Sequence, residues 1–219
     1  MTQYLTEIEH AATRTIDLVW SERTRAAELA ARVQVLQREV ETGYNAAHAL
    51  AMNAETADDV MEATGRYWET YFGDDKELFH THAERQALAA ELATRAFSTS
   101  AQAAVLLQYA KQGISLVHRS IFGTHNRHQT HIALAQCPGG RLVGSQQLRD
   151  VVWQSRNHAL HWEDGAPSQS VQVCLTGLAT DFQQPVFGQF LTRNLAFEIV
   201  EILGWTTFAA FHADMLGLG

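Results

Sequence analysis

Proline is nearly missing from this chain: Pro138, Pro167 and Pro185 are its three, all in the second half of 219 residues. Proline removes a backbone donor and clashes with the preceding helical turn. Ahead of residue 138 nothing of that kind interrupts a helix, and Ala, Leu, Glu, Gln and Arg dominate the first 120 residues, a composition that favours long helices. Cysteine is scarce too. Cys137 and Cys174 alone cannot build a secreted disulfide framework, so two buried free thiols are expected. No run of 18 apolar residues is free of charge, and no membrane span is expected. The N-terminal MTQYLTEIEHAATRT lacks the basic-then-apolar layout of a signal peptide. Together these absences make the cytoplasm the expected location. Gly-rich phosphate loops are missing as well, which removes the P-loop and dinucleotide-binding readings. Ser155 has no strand–turn–helix setting and is not a hydrolase nucleophile.

What is present is ample apolar material, 46% of residues, enough for one sizeable core. Ile8, Ala12, Ile16, Val19, Leu29, Val33, Leu36 and Val40 recur at helical spacing, with Gly43 ending or kinking that first helix. A second stretch stops near Asn53. Thr56 is placed to cap a helix with Asp58 and Asp59 in its first turn, running to Phe72 and stopping at Gly73. Asp74 or Asp75 could cap the next, through Phe97. Ser98-Thr99-Ser100 then suggests a break before a helix ending near Phe122-Gly123. Residues 123–144 look like a loop. Ser145 could cap a helix from Gln146 to about Glu163. Residues 170–175 alternate weakly, as a short strand or loop would. Pro185 fits the first turn of a last helix whose apolar surface, including Ile199 and Leu203, is broad enough for a core centre or a dimer face. The expected fold class is all-α, a single helical domain over residues 1–219.

Charge is uneven. The net charge is −8, yet residues 101–162 carry six basic residues (Lys111, Arg119, Arg127, Arg141, Arg149 and Arg156) against Asp150 alone. Six of the eleven histidines fall in the same stretch. If folding gathers these groups on one face, the face attracts phosphate.

The chemistry concentrates in Arg156-Asn157-His158-Ala159-Leu160-His161. Asn157 and His161 are four residues apart and share a helix face. Arg156 and His161 lie roughly 140° apart around the axis, within reach of a long side chain. A guanidinium offers a planar fork to phosphate oxygens and can stabilise charge that builds up in a transition state. An imidazole can take or give a proton near neutral pH. Asn157 can hold the scissile phosphate or orient the ring. Such a set suits RNA cleavage without a metal, in which the 2′-hydroxyl attacks its neighbouring phosphate. One imidazole cannot act as base and acid together, so either a second copy of the chain or His158 would complete the set.

This hexapeptide resembles the motif of the HEPN family: Arg, four to six residues, then His, often with Asn, Asp or His directly after the Arg. The resemblance implies a HEPN-like up-and-down helical bundle over about residues 55–219. A long N-terminal helical extension over about 1–54 and a loop-rich insertion at 164–185 depart from a minimal domain of that kind. It implies Arg156, Asn157 and His161 as catalytic residues at a homodimer interface. The implied activity is a metal-independent endoribonuclease, a toxin or antiphage effector with RNA as substrate and an antitoxin or regulatory protein as a further partner. His158, Arg149, Arg127 and His128 are candidates for substrate binding. No cofactor and no metal are expected.

Two other classes stay open: a HEPN-like module that binds nucleotide, RNA or protein without cutting, and a helical protein that associates through its first or last helix. His125, His128 and His131, with Cys137 beyond, are zinc-ligand types at a spacing unlike closed zinc sites, and a histidine-rich loop lining an RNA path is the preferred reading. His80 and His82 are expected at the surface. Trp153 and Trp162 flank the motif and are expected to pack it in place, with base stacking the alternative.

Overall fold

A computed structural model of the chain describes residues 1–53, 55–73, 76–118 and 128–219, without the side chains of 128–131. The described helices are α1 (Thr2–Met52), α2 (Ala57–Phe72), α3 (Glu77–Val117), α4 (His128–Gln136), α5 (Leu148–His161), α6 (Gln169–Phe182), α7 (Ala196–Leu203) and α8 (Phe208–Leu216). Among the described residues the only sheet is a hairpin of two-residue strands, β1 (Leu142–Val143) antiparallel to β2 (Gln146–Gln147). The all-α class is therefore the class observed. No described helix is long and apolar enough to cross a membrane.

Local chemistry explains where α2 begins and ends. Thr56 Oγ1 accepts the Asp59 N–H at 3.2 Å while Asp59 Oδ2 accepts the Thr56 N–H at 3.0 Å, a reciprocal cap. Gly73 ends the helix as expected. Other boundaries differ from the sequence reading. α1 runs straight through Gly43, which sits against Leu78 of α3. The helix-propensity penalty of one glycine, roughly 1 kcal/mol, is small beside tertiary packing. α3 likewise runs through Ser98-Thr99-Ser100, where Thr99 and Ser100 are buried. The end proposed at Phe122-Gly123 and the caps at Asp74 or Asp75 lie outside the described residues. Residues 128–136, read as loop, form α4.

Ser145 does not cap a helix. Its N–H and hydroxyl both donate to Asp181 Oδ2 at 2.8 Å, fixing the β1–β2 turn to α6, and α5 starts at Leu148 behind Gln147. The 164–185 segment is not loop-rich, because α6 fills most of it. Val171, Cys174, Leu175 and Leu178 recur at 3, 4 and 7, which is one helix face; the weak alternation at 170–175 covered too few residues to reveal it. The last long helix is three pieces: a 3-10 turn at Pro185–Gln189, then α7 and α8. Gly204 makes the α7–α8 break with φ of +70°, a left-handed conformation that glycine adopts without Cβ strain, and Thr207 caps α8 by accepting the Ala210 N–H.

The chain divides into two compact units, Met1–Glu22 with Phe97–Gly219, and Arg23–Ala96. In the first, α5 packs against α6 and α7. Its core draws Leu5 and Ile16 from α1, Leu107 and Ile114 from α3, Val151 and Val152 from α5, and Ile199 and Leu203 from α7. Ile199 and Leu203 are thus core residues, which decides between the two readings of that apolar surface. The last two helices are tied to the β-hairpin through Asp214, which accepts the Trp205 indole N–H at 2.8 Å and two bonds from Arg141 at 2.7 and 2.8 Å. Cys137 and Cys174 are free and buried, and burial pushes their thiols up to about 11 and about 12. In the second unit, Ala26, Leu29 and Leu36 of α1 and Ala63 of α2 are buried, with Arg32 of α1 paired to Glu84 of α3 at 3.1 Å.

Candidate functional site

Helix α5 buries one stripe, Leu148, Val151, Val152, Ser155 and Ala159, in the core of the first unit. That stripe fixes where the motif side chains emerge. Arg156 and Asn157 leave from the flank, half-buried, and His161 closes the helix in the open.

Arg156 turns toward α3. Its Nε donates to Gln108 Oε1 at 2.7 Å and one terminal nitrogen donates to Asn157 Oδ1 at 3.4 Å. Beside it, the Lys111 ammonium lies 4.7 Å from the ring centre of Trp153. Gln108 and Lys111 are three apart on α3, as Trp153 and Arg156 are on α5, so two helix faces meet with their cations together. Burial holds the Lys111 ammonium below its usual value, and the nearby Arg156 charge adds to that; burial also lowers Arg156. Among the described residues neither cation is paired with a carboxylate. Two like charges held close without a counter-ion favour an anion between or beside them.

His161 faces another way. After α5 the chain makes a 3-10 turn, Trp162–Asp164, closed by Gly165 at φ of +65°. The turn brings Asp164 Oδ2 to 3.2 Å from His161 Nδ1. A carboxylate at Nδ1 keeps the proton there, leaving Nε2 with no partner among the described residues. This pair opens on a cavity of about 390 Å³ bordered by Asn157, His158, His161, Asp164, Pro167 and Val171. Arg156 and His161 are not hydrogen-bonded to each other. Asn157 links their surroundings, accepting from Arg156 while lining the cavity that holds His161.

The remaining candidates divide. His158, expected to touch substrate, is buried: its Nε2 donates to the Phe190 carbonyl at 2.8 Å, burial lowers its pKa, and its Nδ1 has no partner among the described residues. It anchors the turn at Phe190 to α5. Arg149, also expected at substrate, donates to the Cys137 carbonyl at 2.6 Å and lies 3.5 Å from Asp150. Arg141 is committed to Asp214. The basic stretch therefore does not become a continuous patch among the described residues; it leaves Lys111 and Arg156. Arg127 and His125, and the side chains of His128 and His131, lie outside the described residues. No group of metal-ligating side chains occurs among the described residues.

Sequence reasoning missed Asp164, Gln108 and Lys111 as members of this site. Asp164 had a local signal, three residues past His161, but served only as part of a helix stop. Lys111 and Gln108 are brought to Arg156 solely by packing of α3 on α5. Trp153 is buried and packs the helix, as expected. No protein-family model, curated protein or solved structure matches the chain.

Proposed function

We propose that this protein is a metal-independent endoribonuclease of HEPN type, with Arg156, Asn157 and His161 acting on an RNA phosphodiester. The observation that supports it is the division of labour around Asn157: two cations, Lys111 and Arg156, with no carboxylate partner among the described residues on one side, and an imidazole oriented by Asp164 in an open cavity on the other. In the proposed reaction the 2′-hydroxyl loses its proton to an imidazole and its oxygen bonds to phosphorus. The bond from phosphorus to the 5′-oxygen breaks, and that oxygen takes a proton from a second imidazole. The products are a 2′,3′-cyclic phosphate and a 5′-hydroxyl. Arg156 has one terminal nitrogen free of protein partners among the described residues, available to a phosphate oxygen as negative charge grows.

His158 is buried, so the second imidazole comes from a second copy of the chain. A homodimer in the cytoplasm, restrained by an antitoxin or other protein, is the setting this reading implies. The test is RNA cleavage in EDTA by wild type, Arg156→Ala and His161→Ala. Wild type cleaves, and each variant loses on the order of a hundredfold or more. Equal cleavage by all three removes the assignment.

A second reading, RNA or nucleotide binding without cleavage, is favoured by one observation: Arg156 and His161 are not bonded and Arg156 spends two nitrogens within the chain. It expects Arg156→Ala to abolish binding while wild type never yields product.

A further inference from the structure

Helix α2 buries a single side chain, Ala63, and leaves its aromatic residues outside the core. Tyr67, Trp68, Tyr71 and Phe72 instead pack on one another and on Tyr44 of α1. Tyr44 and Tyr67 have ring centres 6.1 Å apart at 83°, Tyr67 and Trp68 5.4 Å at 66°, and Trp68 and Tyr71 6.1 Å at 84°. The Tyr44–Tyr67 and Trp68–Tyr71 pairs are near perpendicular while Trp68 and Phe72 stack at 16°, and together these five border a cavity of about 520 Å³. They are open to water: Tyr44 is 55% exposed, Trp68 48% and Phe72 63%. A contiguous exposed patch of large aromatics forgoes burial and marks a binding surface.

The electrostatics of the cavity select its ligand. Ring faces carry negative potential. Among the described residues Glu41 is the one carboxylate on the cavity wall, and no Lys or Arg borders it. Among the described residues no Lys or Arg lies over any of the five rings. His82, also on the wall, has its Nε2 bonded to Arg85 at 3.3 Å. An anion is repelled here. A primary ammonium holds its water too tightly to enter an aromatic box without hydrogen-bond acceptors on every side. A cation clad in methyl groups loses little hydration and gains from both the faces and the carboxylate.

We propose that this pocket binds a quaternary or methylated ammonium group, with the rings as its walls and Glu41 as its counter-charge. All its residues belong to the Arg23–Ala96 unit, so the site does not depend on the ribonuclease reading. The whole protein is titrated with choline and with 3,3-dimethylbutan-1-ol, an uncharged molecule of the same shape. The readout is the NMR signal of the Trp68 indole N–H, assigned by its loss in Trp68→Phe. Choline shifts that signal saturably, and the alcohol binds at least about tenfold more weakly. Glu41 is exposed, so Glu41→Gln keeps the fold and weakens choline binding by roughly threefold to tenfold. No saturable shift with choline overturns the proposal. So does equal affinity for the alcohol, which makes the pocket merely apolar. So does an unchanged choline affinity in Glu41→Gln.

Discussion

Single side chains decide what the motif can do. His161 is exposed and has Asp164 at Nδ1; His158, three residues earlier, is buried and bonded to a carbonyl. The same residue type thus has a chemical role in one position and an architectural one in the other, and burial makes the difference. If Asp164 orients the ring, Asp164→Asn leaves the tautomer unfixed and cleavage falls roughly tenfold or more, with RNA affinity unchanged. A fall in affinity with an unchanged single-turnover rate would assign Asp164 to binding instead. His158 gives a pH effect of opposite character. Burial holds its folded pKa below the unfolded value of 6.5, so the unfolded chain takes up the proton first. Stability is full above pH 6.5 and is lost as pH falls from there through the folded pKa. In His158→Gln, whose amide can still donate to the Phe190 carbonyl, the melting temperature followed by circular dichroism falls less steeply between pH 7 and 5 than in wild type.

At the scale of elements, α2 is the one whose limits follow from local chemistry alone. Its reciprocal cap at Thr56 and Asp59 is specified within four residues, and Thr56→Ala costs about 1 kcal/mol. Gly65 lies inside the same helix with open space where a Cβ would sit, so Gly65→Ala stabilises by roughly 0.5–1 kcal/mol. Urea unfolding monitored at Tyr and Trp fluorescence should move in opposite directions for the two variants; a shift of the same sign in both would show that α2 contributes nothing through its own helical stability. α5 is the contrasting element. Its core stripe and its two ends, set by the β1–β2 hairpin and the 3-10 turn, aim Arg156 at α3 and His161 at the loop before α6.

For the whole molecule, net charge misleads about the site. The chain is acidic overall, yet Lys111 and Arg156 stand together without a carboxylate among the described residues. The proposed reaction needs an imidazole from each of two chains, and that makes assembly part of the chemistry. Arg156→Ala and His161→Ala are each inactive alone. Mixed with an equal amount of wild type, His161→Ala lowers cleavage to about half that of the same wild type alone, since half the wild-type chains then sit in dimers that hold one imidazole. Unchanged cleavage on mixing, in chains shown by sedimentation to exchange subunits, would place both imidazoles in one chain.

The sequence by itself determined the helical class, the absence of a disulfide, the limits of α2, the burial of Trp153 and the position of the motif on a helix. Each rests on composition, on a cap, or on spacing within a few residues. Tertiary structure decided the rest. Packing carried α1 through Gly43 and α3 through Ser98–Ser100, because contacts along a long helix outweigh one glycine or three hydroxyl residues. It made a helix of residues 169–182, divided the last helix at Gly204, and buried His158. It also chose which of the basic residues stay available: Arg141 and Arg149 meet acceptors distant or hidden in sequence, while Lys111 reaches Arg156 from 45 positions away. Partners of that kind are set by which faces the core leaves adjacent, and no local pattern in the chain encodes them.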